Sequence, residues 1–191
     1  MRVQRSSEHR IVPWANGLGI TADVVLSPPP PLEWTWRVSI ADVSDDVPFS
    51  VMPGIDRHIV VAQGAGMALS IAGAAAVRMD GATPPLSFSG DDVTTCRLLD
   101  GPIHDLNLMV RRGRAVGSLA VHQLTAGSTF VLAADAVVAI VLDGAVRWES
   151  ADLAGFDALV IEDPVGPVVL DAIADSTVAV ATVTVTDIVS G

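Results

Sequence analysis

The sequence is short of cysteine, lysine and long apolar runs, and each shortage narrows the possible functions. Its single cysteine, Cys96, cannot form an intramolecular disulfide, which fits a reducing compartment. All eleven basic residues are arginine and the net charge is −11, so nucleic acid and anionic membrane surfaces are poor partners. The charged N-terminus does not resemble a signal peptide, and no apolar run predicts a membrane span. We therefore expect a cytoplasmic protein.

The common catalytic and cofactor-binding motifs are also missing. No glycine-rich phosphate loop precedes a helical pattern, and there is no Gly-x-Ser-x-Gly nucleophile motif. The four histidines lack the spacing that places two ligands side by side on one strand or helix, although His58 and His104 could meet across strands. We predict no cofactor and no bound metal, and we assign no catalytic residue.

The apolar residues are arranged in a way that predicts an all-β fold. The chain has 191 residues, of which 50% are hydrophobic, so it can bury a substantial core in one large domain or two small ones. Most apolar runs are four to eight residues long, rich in valine and isoleucine, and bounded by glycine, proline or aspartate. This pattern is typical of strands in a β-sandwich or β-barrel.

The second half of the sequence resembles the first in outline, which indicates a weak internal duplication. Residues 59–64 compare with 139–144, and residues 104–110 compare with 177–183. The second copy replaces the polar positions of the first with valine, alanine and threonine. We therefore expect the functional residues to lie in the first half.

A turn that ends in an arginine is the strongest candidate for a binding site. Pro53 and Gly54 predict a tight turn, and Asp56 and Arg57 follow where an apolar strand begins. An arginine offers a planar pair of donors that matches a carboxylate in two parallel hydrogen bonds. Arg57 is therefore predicted to hold a small anion in the mouth of a β-barrel. The alternative is an ion pair, for example with Asp56, and no ligand.

Two further strands carry polar residues on one face. In residues 33–41 the polar Arg37 and Ser39 alternate with large apolar side chains, and in residues 104–110 Asp105 and Asn107 share one side. These positions would contact a ligand if that face lines a barrel, and would contact solvent if it does not. The sequence leaves both possibilities open.

Four motifs follow one another in the first two thirds of the sequence: Trp14-x-Asn16-Gly17-x-Gly19-x-Thr21, Trp36-Arg37-x-Ser39-x-Ala41, Phe49-Ser50-x-x-Pro53-Gly54-x-Asp56-Arg57, and Leu99-x-Gly101-Pro102-x-x-Asp105-x-Asn107-x-Met109. In this order and spacing they resemble the HutD/Ves family over about residues 1 to 125. The resemblance implies a two-module cupin, in which two RmlC-like jelly-roll β-barrels pack into one compact unit. Residues 1–120 would form the module with the pocket and residues 121–191 a structural module, with N-terminal strands able to cross between them.

The resemblance also implies a pocket and a biological setting. The residues carried over to the pocket are Trp14, Asn16, Trp36, Arg37, Phe49, Asp56, Arg57, Asp105 and Asn107. Arg57 would hold the carboxylate, and an aromatic side chain could stack on an imidazole-like ring. The family is associated with histidine utilisation in bacteria, and its pocket is expected to work without a metal.

We interpret the protein as a metal-free cupin that binds a small urocanate-like or formate-like carboxylate in a regulatory or sensing role. The first alternative is a metal-free cupin enzyme of the isomerase or hydrolase type, with Asp56 or His58 as acid–base. The second alternative is an interaction module whose tryptophans and arginines form a dimer surface. A homodimer is compatible with each of these interpretations.

Overall fold

The computed structural model describes residues 1–14, 19–162 and 166–186. Over these ranges the chain is built almost entirely of antiparallel strands, and its one helical segment is a short 3-10 turn at Ser6–Glu8. No helix in the described ranges is long and apolar enough to cross a membrane. The strands are β1 (Arg2–Gln4), β2 (Arg10–Pro13), β3 (Gly19–Ser27), β4 (Trp36–Val43), β5 (Val47–Phe49), β6 (Ile55–Gln63), β7 (Met67–Ile71), β8 (Val77–Met79), β9 (Leu86–Ser89), β10 (Thr94–Leu98), β11 (Ile103–Arg111), β12 (Ala115–Leu124), β13 (Thr129–Val131), β14 (Ala136–Asp143), β15 (Ala145–Trp148), β16 (Ala151–Ala154), β17 (Ala158–Val160), β18 (Val169–Ala172) and β19 (Ser176–Val185).

The chain divides into two compact units. Among the described residues, the N-terminal unit consists of residues 10–116 and 185–186, and the C-terminal unit consists of residues 1–9 and 117–184. Each unit contains two antiparallel sheets, so the predicted all-β class is confirmed. The strands predicted over residues 33–41 and 104–110 are present as β4 and β11, with shifted ends. The strand predicted over residues 33–41, for example, begins at Trp36 and continues to Val43.

The N-terminal unit contains a six-stranded sheet with the order β2-β3-β4-β11-β6-β9 and a four-stranded sheet with the order β5-β10-β7-β8. In the larger sheet β11 lies between β4 and β6, and this register places Met109 opposite both Arg37 and Arg57. Two residues along, Asn107 lies opposite Ser39. Because successive side chains of a strand point to opposite faces, these residues share one face of the sheet.

Apolar residues on that face and apolar residues of the four-stranded sheet together form the core of the N-terminal unit. They come from both sheets and are Ala41, Val43, Val47, Phe49, Ile59, Val61, Met67, Leu69, Met79, Cys96 and Ile103. Cys96 is a buried free thiol beside the sulfur of Met67, as a small hydrophobe in a core would be. The polar face of β4, β6 and β11 therefore continues an apolar interior rather than facing solvent.

The C-terminal unit repeats the two-sheet arrangement with the orders β1-β17-β14-β19-β12 and β13-β18-β15-β16. Its core is made of valine, leucine, isoleucine and alanine, namely Leu132, Ala136, Ala139, Val141, Val146, Leu153, Leu159, Ile161, Val168, Leu170, Val178 and Val180. The first residues of the chain complete this unit, because β1 pairs with β17 and Asp157 accepts hydrogen bonds from Arg5 Nη1 (2.8 Å) and the Ser6 amide (2.9 Å).

Corresponding glycines follow β6 and β14. Gly64 (φ +100°) and Gly144 (φ +77°) both adopt a left-handed backbone conformation that glycine tolerates best. A Cβ at Gly64 would lie 2.7 Å from the carbonyl oxygen of Pro102, and one at Gly144 would collide with the carbonyl oxygen of Asp175. The two segments aligned in the sequence as a duplication thus share a strand followed by a glycine whose position has no room for a side chain.

Candidate ligand-binding site

A cavity of about 210 Å³ lies in the N-terminal unit. It is lined by Val12, Trp14, Thr21, Arg37, Ser39, Ala41, Pro48, Phe49, Ser50, Met52, Arg57, Asp105, Asn107 and Met109. The volume is smaller than the roughly 300–1,000 Å³ of typical drug-sized sites. The cavity therefore suits a compact ligand.

Arg57 is the central cation of this cavity. Its side chain is only 6% exposed, and its guanidinium lies between the rings of Phe49 (5.1 Å) and Phe88 (5.0 Å). Nη2 donates a hydrogen bond to Asn107 Oδ1 at 2.8 Å. Burial lowers the pKa of Arg57 to about 10, a value at which it is still charged at neutral pH. The two rings and the amide therefore fix a charged guanidinium in one orientation.

Asp105 is the buried acid of the same network. It is 1% exposed, and its Oδ1 accepts a hydrogen bond from Asn107 Nδ2, so Asn107 connects Asp105 to Arg57. Burial raises the pKa of Asp105 to about 7, although Arg57 and the Asn107 hydrogen bond act to lower it. Near neutral pH this carboxyl is therefore close to its midpoint of ionisation.

A second arginine of the cavity wall is already neutralised. Arg37 forms an ion pair with Asp23, which is 1% exposed at its side chain. Arg10 binds the other oxygen of Asp23 at 2.6 Å, and the Arg10 side chain is 60% exposed. Three arginines thus surround two buried aspartates, giving a local excess of positive charge in a chain whose net charge is −11.

Three polar side chains of the cavity wall have a buried atom without a hydrogen-bond partner among the described residues. These atoms are Ser39 Oγ, Arg57 Nε and Asp105 Oδ2. Buried polar atoms are nearly always hydrogen-bonded in folded proteins, because an unmet donor or acceptor costs about 1–3 kcal/mol. Three such atoms around one cavity indicate a network that a small polar molecule would complete.

Trp14 and Phe49 supply apolar parts of the wall. The Trp14 indole nitrogen donates to Thr21 Oγ1 at 2.8 Å, and its backbone amide donates to the carbonyl of Gly19 at 2.9 Å. A Cβ at Gly19 would approach the Trp14 ring to 3.0 Å, so the glycine leaves room for the indole. Phe49, at the end of β5, contributes both to the core and to the cavity.

The structure brings together six of the nine residues expected at the pocket, namely Trp14, Arg37, Phe49, Arg57, Asp105 and Asn107. Trp36 and Asp56 do not line the cavity. Each directly precedes a cavity arginine along a strand, so its side chain points to the opposite face. Asn16 lies outside the described residues.

The outer face of β6 holds the two residues that the enzyme interpretation had named. Asp56 Oδ1 pairs with Arg112 Nη2 at 2.6 Å, so Asp56 is not the partner of Arg57. His58 Nδ1 lies 2.7 Å from Ser87 Oγ, and burial lowers the pKa of His58. Neither side chain lines the cavity. Within the described ranges, no three His, Cys, Asp or Glu side chains are grouped so that they could hold a metal ion.

Two residues of the site were missed from the sequence. Asp23 neutralises Arg37, and Phe88 stacks over Arg57 from β9. Asp23 had a detectable signal, since it is a charged residue in an apolar strand and has the same strand parity as Thr21 of the first motif. Phe88 had none, because only the pairing of β6 with β9 places it opposite Arg57.

A family model described as HutD matches residues 6–180. The chain belongs to the HutD family. This finding and the six clustered motif residues agree with the resemblance noted in the sequence.

Several proteins and solved structures also match the chain individually. Protein Ves of Citrobacter koseri is 33% identical over 113 residues, which span 59% of each chain. An uncharacterized 21.2 kDa protein in the hutC 3′ region of Pseudomonas putida is 34% identical over 110 residues, or 57% of each chain. The match thus spans less than two thirds of the length of these curated relatives. The structure of HutD from Pseudomonas fluorescens SBW25 in a formate condition superposes with a TM-score of 0.82 at 28% identity, covering 97% of this chain and 99% of that one.

More distant structures share only the fold of this HutD-family chain. A bacterial pirin from Escherichia coli in complex with nickel(II) superposes with a TM-score of 0.68 at 12% identity, covering 95% of this chain and 97% of that one. A cupin 2 conserved barrel domain protein from Leptotrichia buccalis superposes with a TM-score of 0.55 at 10% identity, covering 88% and 89%. The chain therefore has a cupin-type fold, as the resemblance implied.

Proposed function

We propose that the N-terminal unit binds a small carboxylate in its cavity, with Arg57 as the group that holds the charge. The observation that carries the proposal is a buried, charged guanidinium fixed between two aromatic rings at the wall of a 210 Å³ cavity. A charge-assisted hydrogen bond to such a group contributes roughly 1.5–3 kcal/mol.

The surroundings of Arg57 favour an anion over a neutral ligand. Asp23 is shared by Arg37 and Arg10, so it leaves Arg57 unpaired by that acid, although the chain as a whole is strongly acidic. The apolar walls formed by Trp14 and Phe49 suit a flat organic group attached to the carboxylate. Formate would use the charged end alone, and urocanate would also place its imidazole ring against the aromatic wall.

The biological role that we propose is sensing or regulation in histidine utilisation, through reversible binding of such a carboxylate. It is supported by family membership and by the name of the Pseudomonas putida relative, which places that protein in a hutC region. The formate condition of the Pseudomonas fluorescens structure makes formate a natural second compound to test.

The test is a calorimetric titration of urocanate, formate and acetate into wild type, Arg57→Lys and Arg112→Lys. Lysine keeps the charge and removes the planar pair of donors. Arg112 is the matched control, because it also pairs with aspartates but on the exposed outer face. We expect binding to weaken at least about tenfold in Arg57→Lys, which corresponds to 1.4 kcal/mol, and to be unchanged in Arg112→Lys.

Two results would contradict the proposal. Wild-type protein that binds none of the three compounds has no carboxylate site of this kind. Equal affinity in wild type and in a folded Arg57→Lys protein, checked by its urea unfolding midpoint, would place the carboxylate somewhere other than Arg57.

A further inference from the structure

The cavity contains an acid at the place where the proposed function puts an anion. Asp105 and Arg57 both line the cavity, and both bind the same Asn107 side chain. Two carboxylates within a few ångströms of each other disfavour simultaneous ionisation, and a dry site strengthens the repulsion. The arrangement needs a physical explanation if the ligand is a carboxylate.

Once a carboxylate ligand is bound, two carboxylates, that of the ligand and that of Asp105, would share the single positive charge of Arg57. Arg57 can balance a single negative charge, while Arg37 is already balanced by Asp23 and Arg10 is largely in solvent. With Asp105 ionised, an incoming carboxylate would give the buried group a net charge of −1. One proton added to this group restores neutrality.

The hydrogen bonds show which atom would hold that proton. Arg57 has no acceptor, so Asn107 must present its oxygen to Arg57 and its NH₂ group to Asp105 Oδ1. Asp105 Oδ1 is therefore an acceptor. Asp105 Oδ2 is buried and has no partner among the described residues, so it is the oxygen that is free to be protonated.

Resting on the proposed function, we infer that Asp105 binds the ligand as a neutral acid, so that carboxylate binding takes up one proton from solvent. The proton joins Asp105 Oδ2, which then donates a hydrogen bond to the ligand carboxylate. The ligand stays ionised and pairs with Arg57. No other bond forms or breaks, and the complex carries the same net charge of zero as the free site with Asp105 ionised.

The other titratable groups around Asp105 do not compete for this proton at neutral pH. Arg57 on β6 keeps its charge at neutral pH, and Arg37 on β4 is ion-paired with Asp23, which also binds Arg10. Cys96 on β10 is also close, but burial and the charge of Asp105 raise the pKa of its thiol to about 12. By contrast, the pKa of Asp105 itself is about 7, so its proton is available in the physiological range.

The experiment measures the affinity for formate, acetate and urocanate at pH values from 6 to 9 by tryptophan fluorescence, to which Trp14 of the cavity wall contributes. Formate and acetate remain ionised over this range, so any pH dependence belongs to the protein. For wild type we expect affinity to be level near pH 6 and to fall about tenfold per pH unit above the pKa of Asp105.

Two variants identify the group that takes up the proton. Asp105→Asn places a permanent neutral donor at the same position, so its affinity should be independent of pH and should exceed that of wild type at pH 8.5. Asp91→Asn makes the same chemical change at an exposed ion pair with Arg112 and should retain the wild-type slope. Calorimetry of wild type at pH 8 in two buffers of different ionisation enthalpy should count close to one proton per ligand.

Other results would overturn either the proton uptake by Asp105 or the carboxylate site itself. A flat pH profile for wild type, or a count near zero protons, overturns the inference while leaving the carboxylate site in place. A slope that persists in Asp105→Asn assigns the proton to another group and also overturns it. Failure of all three compounds to bind any of the proteins at any pH overturns the proposed function itself.

Discussion

The two units fill the inner faces of similar sheets with different chemistry. In the N-terminal unit β4, β6 and β11 direct Arg37, Arg57, Asp105 and Asn107 towards the cavity. In the C-terminal unit the residues that β14 and β19 contribute to the core cluster are all valine or alanine. Among the described residues of this unit, the buried polar ones are His9 and Ser176. A similar arrangement of two sheets thus surrounds a polar cavity in one unit and an apolar core in the other. The chemistry of such a unit depends on its inward-facing residues rather than on the fold.

The largest expected effect comes from placing a charge in the C-terminal unit. Val141 is 1% exposed in a core cluster whose described members are all apolar. Val141→Asp should reduce the free energy of unfolding by roughly 3–5 kcal/mol, because it buries an uncompensated charge. Urea denaturation measures the loss. Val141→Ala isolates the part due to lost volume, and an aspartate no more costly than that alanine would contradict the contrast between the units.

Asp105→Asn should change stability in a pH-dependent way. Because burial raises the pKa of Asp105 to about 7 from its ordinary 3.8, the folded state binds more protons than the unfolded state between these values. Wild type should therefore lose stability relative to Asp105→Asn as the pH rises from about 4 to about 7, by a few kcal/mol at roughly 1.4 kcal/mol per pH unit.

The measurement for Asp105→Asn is a set of urea unfolding curves at pH 4, 5, 6 and 7 for both proteins. The difference between them removes the contributions of the histidines, which are common to both. A difference that stays constant with pH would show that Asp105 ionises normally in the folded protein.

Removing one ring over Arg57 should have a moderate effect on binding. Phe88→Leu keeps an apolar side chain but removes one of the two rings that hold the guanidinium, at a cost of roughly 1–2 kcal/mol for a desolvated cation–π contact. Carboxylate affinity should fall by about five- to thirtyfold in calorimetric titration. Phe130→Leu in the C-terminal unit, where the ring contacts His122, is the control and should leave affinity unchanged.

The smallest effects are expected on the outer faces, where the two units are alike. Arg112 pairs with Asp56 and Asp91 in the N-terminal unit, and Arg147 pairs with Asp152 in the C-terminal unit. Exposed ion pairs contribute little, because solvent and salt screen them. Arg112→Gln and Arg147→Gln should therefore both unfold at nearly the wild-type urea concentration. A large loss of stability in only one of the two variants would show that the outer faces of the units also differ.

Much of this arrangement could be predicted from strand periodicity. Alternation identified the polar face of β4 and the shared side of Asp105 and Asn107, and the all-β fold followed from short valine-rich runs. The same period of two also separates Asp56 from Arg57 and Trp36 from Arg37. The family motifs place these neighbours together in sequence, although a strand points them in opposite directions.

Other features depended on contacts that no local pattern encodes. Whether Arg37 faces a lumen or solvent was undecidable from β4, because both faces of that strand are largely buried. The Asp23 ion pair requires the register between β3 and β4, and the Phe88 ring requires the pairing of β6 with β9. Register between strands distant in sequence is set by the packed core as a whole, so the sequence could mark Asp23 as unusual but could not pair it with Arg37, and it gave no sign of Phe88.

The pairing of β1 with β17 has a consequence for the order in which the protein is made. Residues 10–116 leave the ribosome as one continuous stretch, whereas Arg2–Gln4 must wait for Ala158–Val160 before they find their partners. At about 5–20 residues per second this delay is on the order of ten seconds. During synthesis the first strand thus remains without its neighbour while the sheets within residues 10–116 can already form, and the C-terminal unit is completed last.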